Sequence, residues 1–382
     1  MLFCHGFCCI TSNNSTFILN RYLPVFFLCF LFSCKPDVPA TQDLSATQIP
    51  AKDTLISLEQ RKTLIPLLDS VFAETQFNGI ISVYRESEKF YEKSLGFEDF
   101  RTKEQLDSNS VFAIGSVSKQ FAGAIILLLE EKGKLRTSDR ISKYLPEYRS
   151  KTFEDITIHH LLTHTSGISD LGPGLQSEPG VEFNYSNKGY RLLGEIAEAA
   201  SGKSYDTNAR ELFAKAGLTA TYTAENFTGK NLAGAHTGAN SNTTPVPNMP
   251  QRLAHGSIST AAGGLLSTVS DLHRWNYELY SGKILAPVSL QKFLKQSAKM
   301  NHPVLGSVGY GYGIMLSAAP KTYLHSGYVK GSPSLTLYYP QSRTSVVILS
   351  NTADTGKGKK AIFRPHTRVK QIVDSLEVTW KH

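Results

Sequence analysis

The sequence predicts an α/β fold: one sheet built from both ends of the domain, with helices against it and a mostly helical region inserted between. Two observations carry this expectation. Strand-like runs lie at residues 80–85 and 90–97, and again at 309–317, 323–325, 335–339 and 345–350, with turn residues between them. The intervening chain is rich in helical patterns and loop signals, so the strands of one sheet must come from distant segments.

Each element has a local reason. Residues 55–74 carry Leu55, Leu58, Leu64, Ile65, Leu68, Val71 and Phe72 at a helical period. Asn78-Gly79 opens the first strand. Residues 116–132 form a helix whose run F-A-G-A-I-I-L-L-L is apolar on every side, the pattern of a buried helix. An amphipathic helix over 188–200 stops at Ser201-Gly202. One helix is expected over 261–279 after a Gly-Gly entry, and a closing helix over 369–378.

Composition excludes several classes. Of 382 residues, 41% are hydrophobic and 19% charged, which rules out a disordered, collagen-like or multi-span membrane chain. The net charge of +8 is spread along the chain, apart from Lys357–Lys360 and 364–370. No basic stripe is interleaved with aromatics, and no nucleic-acid partner is expected.

All five cysteines, Cys4, Cys8, Cys9, Cys29 and Cys34, precede residue 35, so the domain is expected to hold no disulfide and no thiolate metal site. Residues 22–32 are apolar and follow Arg21, the length of a signal-peptide core and too short to span a bilayer. Leu31-Phe32-Ser33-Cys34 resembles a bacterial lipobox, with Cys34 as the lipidation site. The expected organisation is a lipoprotein-type signal peptide (1–33), a tether (34–54), the main folded domain (55–352) and a C-terminal extension (353–382). A lipid on Cys34 would tie the domain to the outer or cytoplasmic membrane. Plain secretion and an uncleaved N-terminal anchor are the alternatives, and all three put the domain outside the cytoplasm.

The chemistry centres on Gly115-Ser116-Val117-Ser118-Lys119. Ser116 and Lys119 are one helical turn apart at a helix N-terminus, so their side chains are neighbours. Free N–H groups there favour a developing oxyanion. Burial and positive potential lower the lysine pKa, and a neutral lysine beside a serine hydroxyl is a base beside a nucleophile. By itself the pair also reads as a cap and a solvated lysine. Tyr185-Ser186-Asn187 adds a phenol able to relay a proton and an amide able to donate to a substrate carbonyl. His325-Ser326-Gly327 ends a strand-like run, with a glycine that would let substrate approach the strand edge. Taken singly, Tyr185 and His325 also read as core residues. His160 and His164 lack a third metal ligand, and 202–204 lacks the first P-loop glycine, so neither a metal nor another cofactor is expected.

In this order and with these surroundings the motifs resemble the superfamily of class C β-lactamases, D-alanyl-D-alanine carboxypeptidases and related esterases. The likeness extends to F-A-I-G-S-V-S-K-Q-F at 112–121, H-L-L-T-H-T-S-G at 160–167, 183–194, G-G-L-L-S-T at 263–268 with Asp271, 309–314 and 346–351. It implies a β-lactamase/transpeptidase-like fold, an antiparallel sheet flanked by helices plus an inserted mostly α-helical region. It also implies roles. Ser116 would be the acylated nucleophile, and Lys119 and Tyr185 would share proton transfer. Asn187, His325, Ser326, Gly327 and Tyr328 would bind substrate, with the N–H groups of Ser116 and Tyr328 as oxyanion hole. Where such β-lactamases carry Lys-Thr-Gly, this chain has His-Ser-Gly, and a histidine is mostly neutral at pH 7. That shifts weight from β-lactams toward a small-molecule or peptide substrate with an amide or ester bond. The alternatives are a class C-like β-lactamase and a penicillin-binding protein acylated without efficient turnover.

Overall fold

The computed structural model describes residues 58–379 apart from 76, 240–241, 248–252 and 254–258. Cys34, the signal peptide and the tether lie outside the described residues. The helices are α1 (Leu58–Thr75), α2 (Ser118–Glu131), α3 (Ile158–Leu162), α4 (Asn187–Ser201), α5 (Tyr205–Lys215), α6 (Thr260–Gly263), α7 (Val269–Tyr280), α8 (Pro287–Leu294), α9 (Gly358–Ile362) and α10 (Arg364–Thr379). The main sheet contains β1 (Gly79–Arg85), β2 (Glu88–Leu95), β3 (Ala298–His302), β4 (Gly306–Tyr310), β5 (Met315–Ala318), β6 (Lys321–Val329), β7 (Ser332–Tyr339) and β8 (Thr344–Ser350).

Its order is β3-β4-β5-β6-β7-β8-β1-β2, and every pair is antiparallel. The joint between the two ends of the chain is β1 on β8, in register from Gly79 opposite Ser350 to Arg85 opposite Thr344. Alternation along these strands divides the side chains between two cores. Ile81, Val83, Val346 and Ile348 face Leu64, Leu68 and Val71 of α1 and Val369, Ile372 and Val373 of α10. Ile80, Val347 and Leu349 join the opposite core, with Phe121, Ile125, Trp275 and the inserted helices. Helix α2, apolar all round, is buried for nearly its whole length in that second core.

Three expected elements differ. The helix over 261–279 is two helices separated by a short strand, Leu265–Ser267, which pairs with Phe112–Ala113 and Tyr222–Thr223. The Thr268 hydroxyl, accepting from Asp271 N, restarts the helix as a cap. The run 309–317 bends at 311–314 into two strands, because Gly313 adopts φ +76° and its turn packs on the Lys119 carbonyl of α2. The chain after 352 is integral to the domain: α10 buries Val369 and Val373, and the Tyr339 hydroxyl donates to Asp374 at 2.7 Å.

Candidate active site

The nucleophile turn is built first. Gly115–Val117 is a 3-10 turn leading into α2, so Ser116 lies just ahead of the helix expected to begin with it. Gly115 needs its left-handed φ of +52°, and a Cβ there would stand 2.5 Å from Tyr328 N. The Ser118 hydroxyl donates to Gly115 O at 2.7 Å and accepts from Leu265 N at 3.2 Å, pinning the turn to the inserted region.

Lys119 is fully buried under Ser116. Its Nζ lies 3.2 Å from Ser116 Oγ, 2.9 Å from Asn187 Oδ1 and 2.6 Å from Ala262 O. Burial lowers its pKa to about 7, against a smaller upward pull from Asp170. As a neutral amine it keeps two N–H donors for Ala262 and Asn187 and aims its lone pair at the serine. With Asn187 Oδ1 on the lysine, the amide NH₂ is left as the donor for a substrate.

The Tyr185 hydroxyl donates to Ser116 Oγ at 2.8 Å. Burial raises its pKa and the bond to Ser116 opposes this; the residue is 37% exposed toward the open cleft, so water offsets part of the push. Tyr185 therefore rests as a phenol and Lys119 is the group poised to titrate near neutrality.

Two residues that motif reasoning missed hold this loop. Asp170 accepts from Ser186 Oγ at 2.7 Å, Asn187 N at 2.9 Å and Lys188 N at 2.9 Å, at the N-terminus of α4. Burial opposes its ionisation, but these bonds and the charge of Lys119 outweigh it and lower its pKa. His164, at φ +58°, accepts from Ser186 N at 3.1 Å and places its ring 4.3 Å from that of Tyr185. Burial, then the charge of Lys119, keeps it neutral. Neither pairing is local in sequence, although His164 lies inside the 160–167 segment. Replacing Asp170 by Asn should lower kcat about 10²-fold by loosening Tyr185 and Asn187. Loss of its negative charge should also move the Lys119 limb of the pH–rate profile to lower pH; an unmoved limb and unchanged kcat would refute the positioning role.

The cleft beside Ser116 has a volume of about 620 Å³. Tyr185, Asn187, Ser326, Gly327 and Tyr328 line it, with 299–304 of β3 and its turn, Met315, Lys359, Ile362 and Phe363. A larger hollow of about 940 Å³ lies elsewhere, around Phe72, Phe97 and Arg364, and contains none of these reactive groups. Strand β6 pairs with β5 only from Lys321 to Leu324, which leaves its later residues without a β5 partner.

His325 is the exception among the expected substrate contacts. It is fully buried and does not line the cleft. Its Nδ1 lies 2.7 Å from Ser326 O, an acceptor, so Nδ1 carries the proton and Nε2 accepts from the Tyr310 hydroxyl at 3.1 Å. Burial, with Lys119 nearby, lowers its pKa to about 3. The side chain at 325 is a neutral strut beneath the site. Among the described residues, no group of three or more His, Cys, Asp or Glu side chains could hold a metal ion.

The family profile described as Beta-lactamase matches residues 66–365. The chain is 27% identical over 343 residues to "Penicillin-binding protein 4*" of Bacillus subtilis, covering 80% of this chain and 75% of that one. It is 28% identical over 338 residues to "Putative penicillin-binding protein PbpX" of the same organism, covering 81% and 80%. Among solved structures, the octameric penicillin-binding protein homologue from Pyrococcus abyssi aligns with a TM-score of 0.71 at 24% identity, over 85% of this chain and 78% of that one. D-amino acid amidase from Ochrobactrum anthropi SV3, complexed with L-phenylalanine amide, aligns with a TM-score of 0.68 at 22% identity, over 83% and 99%. At these identities the two structures speak to the fold, which is the antiparallel sheet flanked by helices described above. With the profile spanning most of the chain, the protein belongs to the beta-lactamase family, a family of serine hydrolases.

Proposed function

We propose that this protein is an extracytoplasmic hydrolase that cleaves an amide or ester bond through an acyl-enzyme on Ser116, of the D-amino-acid peptidase or carboxylesterase type. The carrying observation is that Ser116 Oγ is held at once by Lys119 Nζ at 3.2 Å and Tyr185 Oη at 2.8 Å. Neutral Lys119 takes the Ser116 proton as Oγ attacks the carbonyl carbon. The oxyanion forms against the N–H groups of Ser116 and Tyr328, each worth about 2.7–4 kcal/mol to the transition state. As the C–N or C–O bond breaks, the proton held by Lys119 reaches the leaving group through the Tyr185 hydroxyl. Asn187 donates to the acyl part of the substrate. Water then attacks the acyl carbon and passes a proton to the same base, and as the acyl C–O bond breaks that proton returns to Ser116 Oγ, releasing the acid and restoring the neutral lysine.

The relatives named penicillin-binding proteins support the second reading, a site acylated by β-lactams with or without turnover. Because His325 is buried beneath the cleft, its difference from lysine no longer argues directly against a β-lactam carboxylate. The signal-like segment and Cys34 support placement outside the cytoplasm with a lipid anchor. Among the described residues, no helix is long and apolar enough to cross a membrane.

Mass spectrometry after treatment with a fluorophosphonate probe tests the reading. A single adduct on the peptide bearing Ser116 is expected, and an intact protein mass without adduct would sink it. Fluorescent penicillin then separates the alternatives: label retained for hours marks a trapped acyl-enzyme, and label lost with product marks a β-lactamase.

A further inference from the structure

The hairpin between β3 and β4 carries a histidine whose proton the geometry fixes. His302 closes β3 opposite Gly306, the first residue of β4. Its Nδ1 accepts from Val304 N at 3.2 Å and from Leu305 N at 3.1 Å. Backbone N–H groups only donate, so Nδ1 is bare and the ring proton sits on Nε2. Burial, then the charge of Lys359, lowers the His302 pKa to about 4, so the ring is uncharged at neutral pH.

Nε2 lies 3.0 Å from Ser326 Oγ, so the imidazole donates and the serine accepts. The serine hydroxyl still has its own proton to place. Among the described residues, His302 is the one hydrogen-bond partner of that hydroxyl. Ser326 lines the cleft beside Ser116. It lies on the part of β6 beyond Leu324, where the pairing with β5 has ended. The imidazole thus bridges from the β3–β4 hairpin to β6 where the ladder has stopped. A hydroxyl that accepts from His302 is left to donate to a molecule in the cleft.

We propose that His302 is a positioning residue: it fixes the Ser326 hydroxyl as a donor in the cleft, where it holds an acceptor oxygen of the substrate beside the scissile bond. This rests on the acyl-enzyme reading and deepens it. A serine hydroxyl by itself rotates and serves as donor or acceptor alike. With the His302 proton on one lone pair, Ser326 is preset for a carbonyl or another oxygen acceptor and poorly matched to a substrate N–H. The turn residues Val304 and Leu305 set the ring, the ring sets the hydroxyl, and the hydroxyl sets the substrate before the chemistry starts.

The test is a double-mutant cycle read on Ser116-dependent hydrolysis of the 4-nitrophenyl ester of benzyloxycarbonyl-D-alanine. Ser326→Ala should lower kcat/KM about tenfold. His302→Leu, which removes both nitrogens, should cost a similar factor alone and less than about twofold on top of Ser326→Ala. His302→Phe takes its place if the Leu protein does not fold. His302→Gln should keep most of the activity, since its amide oxygen can accept from the turn while its NH₂ donates to Ser326. A histidine that merely held the hairpin together would give a different pattern, with the same loss in both backgrounds. That pattern overturns the inference while the hydrolase reading stands. So does Ser326→Ala at full activity, or a Gln variant no faster than the Leu variant. Turnover of the ester no faster than that of Ser116→Ala overturns the hydrolase reading, and the inference with it.

Discussion

Replacing Lys119 by Met is expected to slow acylation of Ser116 by at least about 10³-fold, with the protein still folded. The effect follows from the proton inventory at Nζ. The amine is buried, and its three neighbours are all oxygen atoms: Ser116 Oγ, Asn187 Oδ1 and Ala262 O. An ammonium would donate to all three and offer no lone pair. A neutral amine donates to two and receives the serine proton on the third side. With the pKa lowered to about 7 by burial, the working form is the neutral one. The sign is fixed: below the folded pKa the lysine is protonated and kcat/KM should fall about tenfold per pH unit; above it the rate should level off. Lys119→Arg should be as inactive as Lys119→Met, since a guanidinium keeps its proton. The measurement is the second-order rate of fluorophosphonate labelling between pH 5 and 9, with thermal unfolding as the control for folding. A Met variant within tenfold of the unaltered protein, or one that keeps the rising limb, would show that another group is the base.

Much of this site is legible in the sequence wherever geometry is local. Ser116 and Lys119 are three residues apart on a turn entering a helix, and helical spacing makes them neighbours whatever the rest of the chain does. The sheet is legible for a similar reason, since period-two runs near each end of the domain can only be buried by pairing with one another. Tyr185 and Asn187 are legible only through resemblance, because nothing local says that a loop 69 residues away reaches Ser116. Asp170 is illegible even so, because it acts through a loop that folds back on the start of α4. His325 shows the opposite failure. Its motif position is conspicuous, but burial and the bond to Tyr310 make it neutral and take it off the cleft surface. The split of 261–279 is a tertiary override: Leu265–Ser267 takes strand partners from two distant segments, which no helical period reveals.

Substituting Gly327 by Ala is expected to cost about 10²–10³-fold in kcat with a modest loss of stability, because two backbones meet at that position. A Cβ on Gly327 would overlap the Ile114 carbonyl oxygen and meet Ser334 Oγ. Neither neighbour can yield cheaply. Ile114 O already accepts from Ser334 Oγ at 2.8 Å, and Ile114 N is tied to Leu265 O at 3.1 Å. The added methyl must therefore push β6 away from the 114–116 turn. That displacement carries Tyr328 N, the proposed second oxyanion donor, away from Ser116, and a misplacement of about 1 Å is enough to cost about 10²-fold. Overpacking of this kind costs about 1–3 kcal/mol of stability. Gly282→Ala is the control: Gly282 has φ +78° but nothing within 4 Å of its Cβ position, so it should lose some stability and no activity. Substrate KM should change less than kcat for Gly327→Ala, since the donor at Tyr328 N acts on charge that appears only in the transition state. An Ala variant with unchanged kcat would mean that β6 does not form the oxyanion hole, and that the stabilising N–H beside Ser116 comes from another part of the chain.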